Sequence, residues 1–120
     1  MSDLVTRPVA AKDHGWIVAL NQVHVKATAP MDHSGLRDLL VQCPFTCVVD
    51  DQAGFVLCMD HDSTDDGPNF NWFRSRYTRF LYVDRIVVDL TQNRKGTGRA
   101  LYTRVFAEAA RRNLPWSVPR

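Results

Sequence analysis

Residues 86 to 101 read Ile86-Val87-Val88-Asp89-Leu90-Thr91-Gln92-Asn93-Arg94-Lys95-Gly96-Thr97-Gly98-Arg99-Ala100-Leu101: a β-branched run, a polar turn with two glycines, and the start of a helical pattern. Free main-chain N–H groups gather where such a turn opens a helix, and the helix dipole adds partial positive charge, so a diphosphate is a natural occupant. Glycines at 96 and 98 let phosphate oxygens approach the main chain, while Arg94, Lys95 and Arg99 add charge beside them. Two other phosphate patterns fail. A Walker loop needs Lys and then Ser or Thr after its last glycine, where Arg99 and Ala100 stand. A dinucleotide fingerprint wants Gly or Ala where Leu101 stands, and it follows the first strand of a parallel sheet. A bare G-x-G is more often an ordinary solvated turn, but here the strand before, the helix after and the flanking bases favour a binding site.

Working outward, Phe80 to Leu90 is the strongest strand signal in the chain, and Gly96 to Arg112 is a helix with Leu101, Val105 and Ala109 on one face and Asn113 as its cap. Upstream, Leu4 to Val9 reads as an edge strand ended by Pro8, and Lys12 to Ala27 as a helix presenting Trp16, Leu20, Val23 and Ala27. Asp32 is placed to cap a second helix lined by Leu36, Leu39, Leu40 and Cys43. Thr46 to Val49 and Phe55 to Met59 form a hairpin around Asp50 to Gly54. Residues 60 to 79, with acids, a Gly67-Pro68 break and the aromatics Phe70, Trp72, Phe73 and Tyr77, read as a long functional loop. The expected order is β-α-α-β-β-β-α in one mixed α/β domain spanning residues 1 to 120.

Composition sets the outer bounds. A chain of 120 residues, 45% apolar and 23% charged, suits one buried core. No apolar run is long enough to cross a bilayer, and the first ten residues lack the features of a signal peptide, so a cytoplasmic protein with no membrane partner is expected. Cys43, Cys47 and Cys58 form no C-x-x-C pair and read as buried free thiols. His14, His24, His33 and His61 show no metal spacing. Asp62, Thr64, Asp66 and Gly67 begin like a calcium loop, but Phe73 occupies the place of the bidentate Glu, so no metal is expected. The Trp72 to Tyr77 stretch mixes bases with aromatics as single-strand binders do, yet Asp60, Asp62, Asp65 and Asp66 beside it disfavour nucleic acid.

On these residues the chain resembles the GNAT superfamily of acyltransferases, whose signature (Q/R)-x-x-G-x-(G/A) follows the fourth strand. Asn93 to Gly98 matches it in spacing, with Asn93 where the family usually has Gln or Arg. The resemblance implies an acyl-CoA N-acyltransferase fold and direct acetyl transfer from acetyl-CoA, a co-substrate, to an amine acceptor, without a metal. It assigns Ile86, Val87 and Val88 to the pantetheine arm and thioester, and Asn93, Arg94, Lys95, Gly96, Thr97, Gly98 and Arg99 to the pyrophosphate. An amine with a lysine-like pKa must lose a proton before attack. Strand alternation puts Tyr82, Asp84, Ile86 and Val88 on one face, which makes Asp84 the candidate base and Tyr82 the second choice; Asp84 could equally serve only to pair with Arg85, Arg79 or a helix residue. Met31 and the aromatic loop are expected to shape the acceptor pocket.

The family continues past its third helix into further strands, one carrying a tyrosine acid. In this chain that helix is followed only by residues 113 to 120, where Pro115 and Pro119 weigh against a full fifth strand. The expected fold therefore lacks the C-terminal strands, and no residue is assigned as the acid. The free edge of strand 80–90 should then dimerise, be covered by the tail, or lower solubility. A non-catalytic acyl-CoA-binding module and a partner-binding fragment of the same fold are the alternative functions.

Overall fold

The computed structural model describes residues 4–23, 30–50, 52–91 and 96–117. Five strands form one sheet in sequence order: β1 (Thr6–Arg7), β2 (Phe45–Val49), β3 (Gly54–Asp60), β4 (Leu81–Val88) and β5 (Trp116–Ser117). The first four pair antiparallel, and β5 joins β4 in parallel. The helices are α1 (His14–Val23), which follows a 3-10 turn at Ala11–Asp13, then α2 (His33–Val41), α3 (Pro68–Arg76) and α4 (Thr97–Arg112).

β3 is buried along its whole length because both faces of the sheet are covered. On one face Leu101, Val105 and Ala109 of α4 pack on Val56, Cys58, Leu81 and Val83. On the other, Ile17 of α1 and Leu36 of α2 meet Val48, Phe55, Leu57 and Val87. Gly54 sets how closely α4 approaches: a Cβ there would lie 2.9 Å from Thr97 Cγ2 and 2.9 Å from the Val87 carbonyl oxygen. Asp32 caps α2 as expected, accepting from the Gly35 N–H at 2.7 Å, and Asn113 ends α4 in the left-handed conformation.

Three sequence expectations are revised. The 60–79 loop contains α3, begun by Pro68 at its first turn, where the missing N–H costs nothing. Phe70 and Phe73 of α3 pack on Phe80 and Tyr82, so these aromatics are core, while Trp72 and Tyr77 stay exposed. The tail does supply a fifth strand, though of two residues: Leu81 pairs with Trp116 and Tyr82 with Ser117, and the Leu81 N–H donates to the Pro115 carbonyl at 2.8 Å. Of the three fates foreseen for the edge of β4, this is the tail folding back, over its first two residues.

Near its N-terminal end the sheet is held by a polar cluster. Asp13 is 1% exposed and takes two hydrogen bonds from Arg7 at 2.7 and 2.9 Å, one from the Ala10 N–H and one from Trp16 Nε1. The hydrogen bonds from Arg7 lead in holding the Asp13 carboxyl well below the usual carboxylate range, against the opposing effect of burial.

Candidate functional site

The decisive irregularity lies in β4. Leu57 pairs with Arg85 but Cys58 pairs with Val83, so Asp84 is an extra residue with no partner on β3. Such a bulge breaks the two-residue alternation and re-aims side chains. Tyr82 and Asp84 therefore share the α1/α2 face with Arg85 and Val87, while Ile86 and Val88 pack toward α4. The expectation that Tyr82, Asp84, Ile86 and Val88 share one face fails at this point.

Turning Asp84 and Arg85 the same way opens a polar network. Arg85 Nε donates to Asp84 Oδ2 at 2.8 Å, and Arg85 Nη1 to Oδ1 of the fully buried Asn21 at 3.0 Å. Gln22 Oε1 accepts from Asn21 Nδ2 and from the Met31 N–H, which ties the end of α1 to the entry of α2. Beside the network lies a cleft of about 440 Å³, with Met31, Asp32, Leu39, Asp65, Asp84 and Arg85 among its lining. Met31 stands where the sequence suggested; the aromatics of α3 do not line the cleft, although Asp65, just before that helix, does. Sequence reasoning named Arg85 only as a pairing partner of Asp84, which the ion pair bears out, and gave Asp65 no place in the cleft, since it carried no spacing signal.

Tyr82 sits edge-on to Phe70 and Phe73, and burial, with smaller effects from Asp84 and Asp65, raises its phenol above the usual range. It keeps its proton at neutral pH and is a poor base. The thiols are equally unsuited to nucleophilic work: burial pushes Cys43 up to about 12 and raises Cys47 and Cys58 as well.

On the opposite border of β4, β5 covers only Leu81 and Tyr82, so from Val83 to Val88 the strand has no neighbouring strand on that side among the described residues. This open edge runs toward the start of α4. Gly96 takes φ 80°, a conformation glycine adopts without strain, and as N-cap it brings no side chain to the helix start, whose first turn holds no acid. Thr97 is fully buried, main chain included, and its Oγ1 has no hydrogen-bond partner among the described residues. Gly98 is half-buried and Arg99 exposed. Asn93, Arg94 and Lys95, with Gln92, lie outside the described residues.

The architecture is shared with solved acetyltransferases. A ribosomal-protein-alanine N-acetyltransferase from Brucella melitensis biovar Abortus 2308 superposes with a TM-score of 0.64 at 20% identity, over 99% of this chain and 82% of that one. A Trypanosoma brucei acetyltransferase gives 0.68 at 16% identity, over 98% and 83%. The chain has the GNAT fold. A third GNAT structure, AAC(6')-Iy in complex with the bisubstrate analogue CoA-S-monomethyl-acetylneamine, gives 0.63 at 13% identity, over 99% and 80%. No family model and no curated protein matches the chain. Among the described residues, no helix of this GNAT fold is long and apolar enough to cross a membrane. Asp60, His61 and Asp62 lie close enough together to suggest a metal, but Asp60 is held by Arg112 at 2.7 Å and by the Asp62 N–H, and His61 Nδ1 accepts from the Phe80 N–H.

Proposed function

We propose that the chain is an N-acetyltransferase that passes the acetyl group of acetyl-CoA directly to a primary amine. The observation that carries this reading is the setting of β4: β5 covers only Leu81 and Tyr82, so among the described residues an open strand edge runs toward the glycine-led start of α4, while the bulge against β3 turns Asp84 toward the cleft. Acetyl-CoA would supply the thioester. The main chain of Ile86, Val87 and Val88 would align the pantetheine along the open edge, and the N–H groups of Gly98 and Arg99 would meet the pyrophosphate, with Asn93, Arg94 and Lys95 close before them in sequence. Several such helix-end contacts, each worth about 0.3–1 kcal/mol, must act together. The AAC(6')-Iy complex with a CoA-linked analogue supports a CoA site on this fold.

The acceptor amine would enter from the cleft. Asp84 Oδ2 is held by Arg85, and Oδ1 takes no hydrogen bond among the described residues, which leaves it to receive the amine's proton directly or through a water. The nitrogen lone pair would then attack the thioester carbonyl and expel the CoA thiolate. With three thiols raised by burial, no acetyl-cysteine intermediate is invoked. The Asp84–Arg85 ion pair also favours a second reading, a non-catalytic acyl-CoA-binding module in which Asp84 is purely structural.

Calorimetry with CoA, followed by thiol release from acetyl-CoA with a panel of amines, tests both. Binding with turnover supports the transferase, and binding without turnover supports the module. Absence of CoA binding at millimolar concentration removes both.

A further inference from the structure

The charge of the cleft narrows its acceptor, an inference that rests on the reading of this cleft as the acceptor site. Among the described residues three carboxylates line it, Asp32, Asp65 and Asp84, against one cation, Arg85. Asp84 and Arg85 are paired to each other. Asp32 and Asp65 accept only main-chain N–H groups, from Gly35 and Gly67, and neither has a cationic side chain within ion-pair distance among the described residues. Among the described residues the cleft thus holds two uncompensated negative charges, and Pro30, Met31 and Leu39 give it an apolar lining beside them.

We infer that the acceptor is a small aliphatic diamine or polyamine, bound with a non-reacting ammonium on Asp32 and Asp65, its methylenes along Pro30, Met31 and Leu39, and its reacting nitrogen at Asp84. The division of labour follows from acid–base chemistry. A carboxylate beside an amine favours the ammonium, which cannot attack, so an unpaired carboxylate serves the far nitrogen and the charge-compensated Asp84 serves the near one. A cleft of about 440 Å³ is of small-molecule size, which disfavours a folded protein as the group it encloses.

Isothermal titration of the protein with 1,4-diaminobutane, 1,5-diaminopentane and spermidine, against butylamine and the amino sugar neamine, tests the inference without needing turnover. Aliphatic diamines are expected to bind about tenfold or more tighter than butylamine, the effect of one charge-assisted contact, and to weaken as salt is raised. Asp32→Asn and Asp65→Asn keep a side-chain oxygen to accept from the Gly35 and Gly67 main-chain N–H groups, so they should leave folding and CoA affinity intact while removing most of the diamine preference. Equal affinity for butylamine and the diamines, or a preference unchanged in both variants, overturns the inference. Neamine binding tighter than any aliphatic diamine overturns the aliphatic assignment. The CoA titration stands apart from these arms: its failure would remove the transferase reading and leave the charge preference of the cleft to be read on its own.

Discussion

Asp84 and Arg85 are consecutive strand residues whose side chains meet, Arg85 Nε lying 2.8 Å from Asp84 Oδ2. Neighbours on a regular strand point to opposite faces, so the contact exists only because the pairing with β3 slips between Leu57 and Cys58. The bulge both orients the candidate base and supplies its counter-charge.

Asp84→Asn, close to isosteric, is expected to lower kcat by about a hundredfold or more, with the KM for acetyl-CoA unchanged, if the carboxylate takes the proton. A purely structural Asp84 would instead lower the unfolding midpoint and spare the rate. Arg85→Leu strands a largely buried carboxylate and should cost about 3–5 kcal/mol in urea unfolding.

Gly54→Ala is expected to cost about 1–3 kcal/mol, because its methyl would fall 2.9 Å from both Thr97 Cγ2 and the Val87 carbonyl oxygen. Displacing the start of α4 from the sheet should weaken CoA binding at the same time. Calorimetry and urea unfolding on one sample would show the two losses together, and a stable variant with weakened affinity would contradict the coupling.

The two glycines of the turn should respond differently. Gly96→Val forces a β-branched residue to φ 80° and is predicted to destabilise by about 1–2 kcal/mol and to weaken CoA binding at least tenfold. A Cβ at Gly98 finds only Val88 Cγ2, at an ordinary 3.7 Å, so Gly98→Ala should fold as well or better, gaining up to about 1 kcal/mol of helix propensity. Equal behaviour of the pair in thermal melts and CoA titrations would count against this geometry.

Stability should fall in acid partly through Asp13. Its carboxyl is held below the value near 3.9 of an unfolded chain, so the unfolded state binds the extra proton. The stabilisation is complete above about pH 5 and is lost as pH drops through 4 toward the folded value. Urea unfolding between pH 7 and pH 2 should show a shallower acid slope for Asp13→Asn than for the parent, the two curves converging at the acid end. Parallel curves would rule out this role.

Elements with local signals were legible: the period of α4, the Asp32 cap, the β-rich runs of β2, β3 and β4, and the glycine at 96 that opens α4. α3 was hidden because Gly67-Pro68 reads as a break, although proline at a first turn also starts helices, and Phe70 and Phe73 at a spacing of three were the overlooked sign. β5 was discounted for its flanking prolines, yet two residues between them suffice for one short parallel pairing.

The sequence by itself determined α2, α4, the β-rich runs of β2, β3 and β4 and the glycine that opens α4, because helix periodicity, capping and glycine's backbone freedom act within a few residues of chain. Only the tertiary structure decided which way Asp84 and Arg85 face and which carboxylates share a cleft. Those depend on the register of β4 against β3 and on how α1, α2 and the segment before α3 converge on one face of the sheet, relations between residues far apart in the chain.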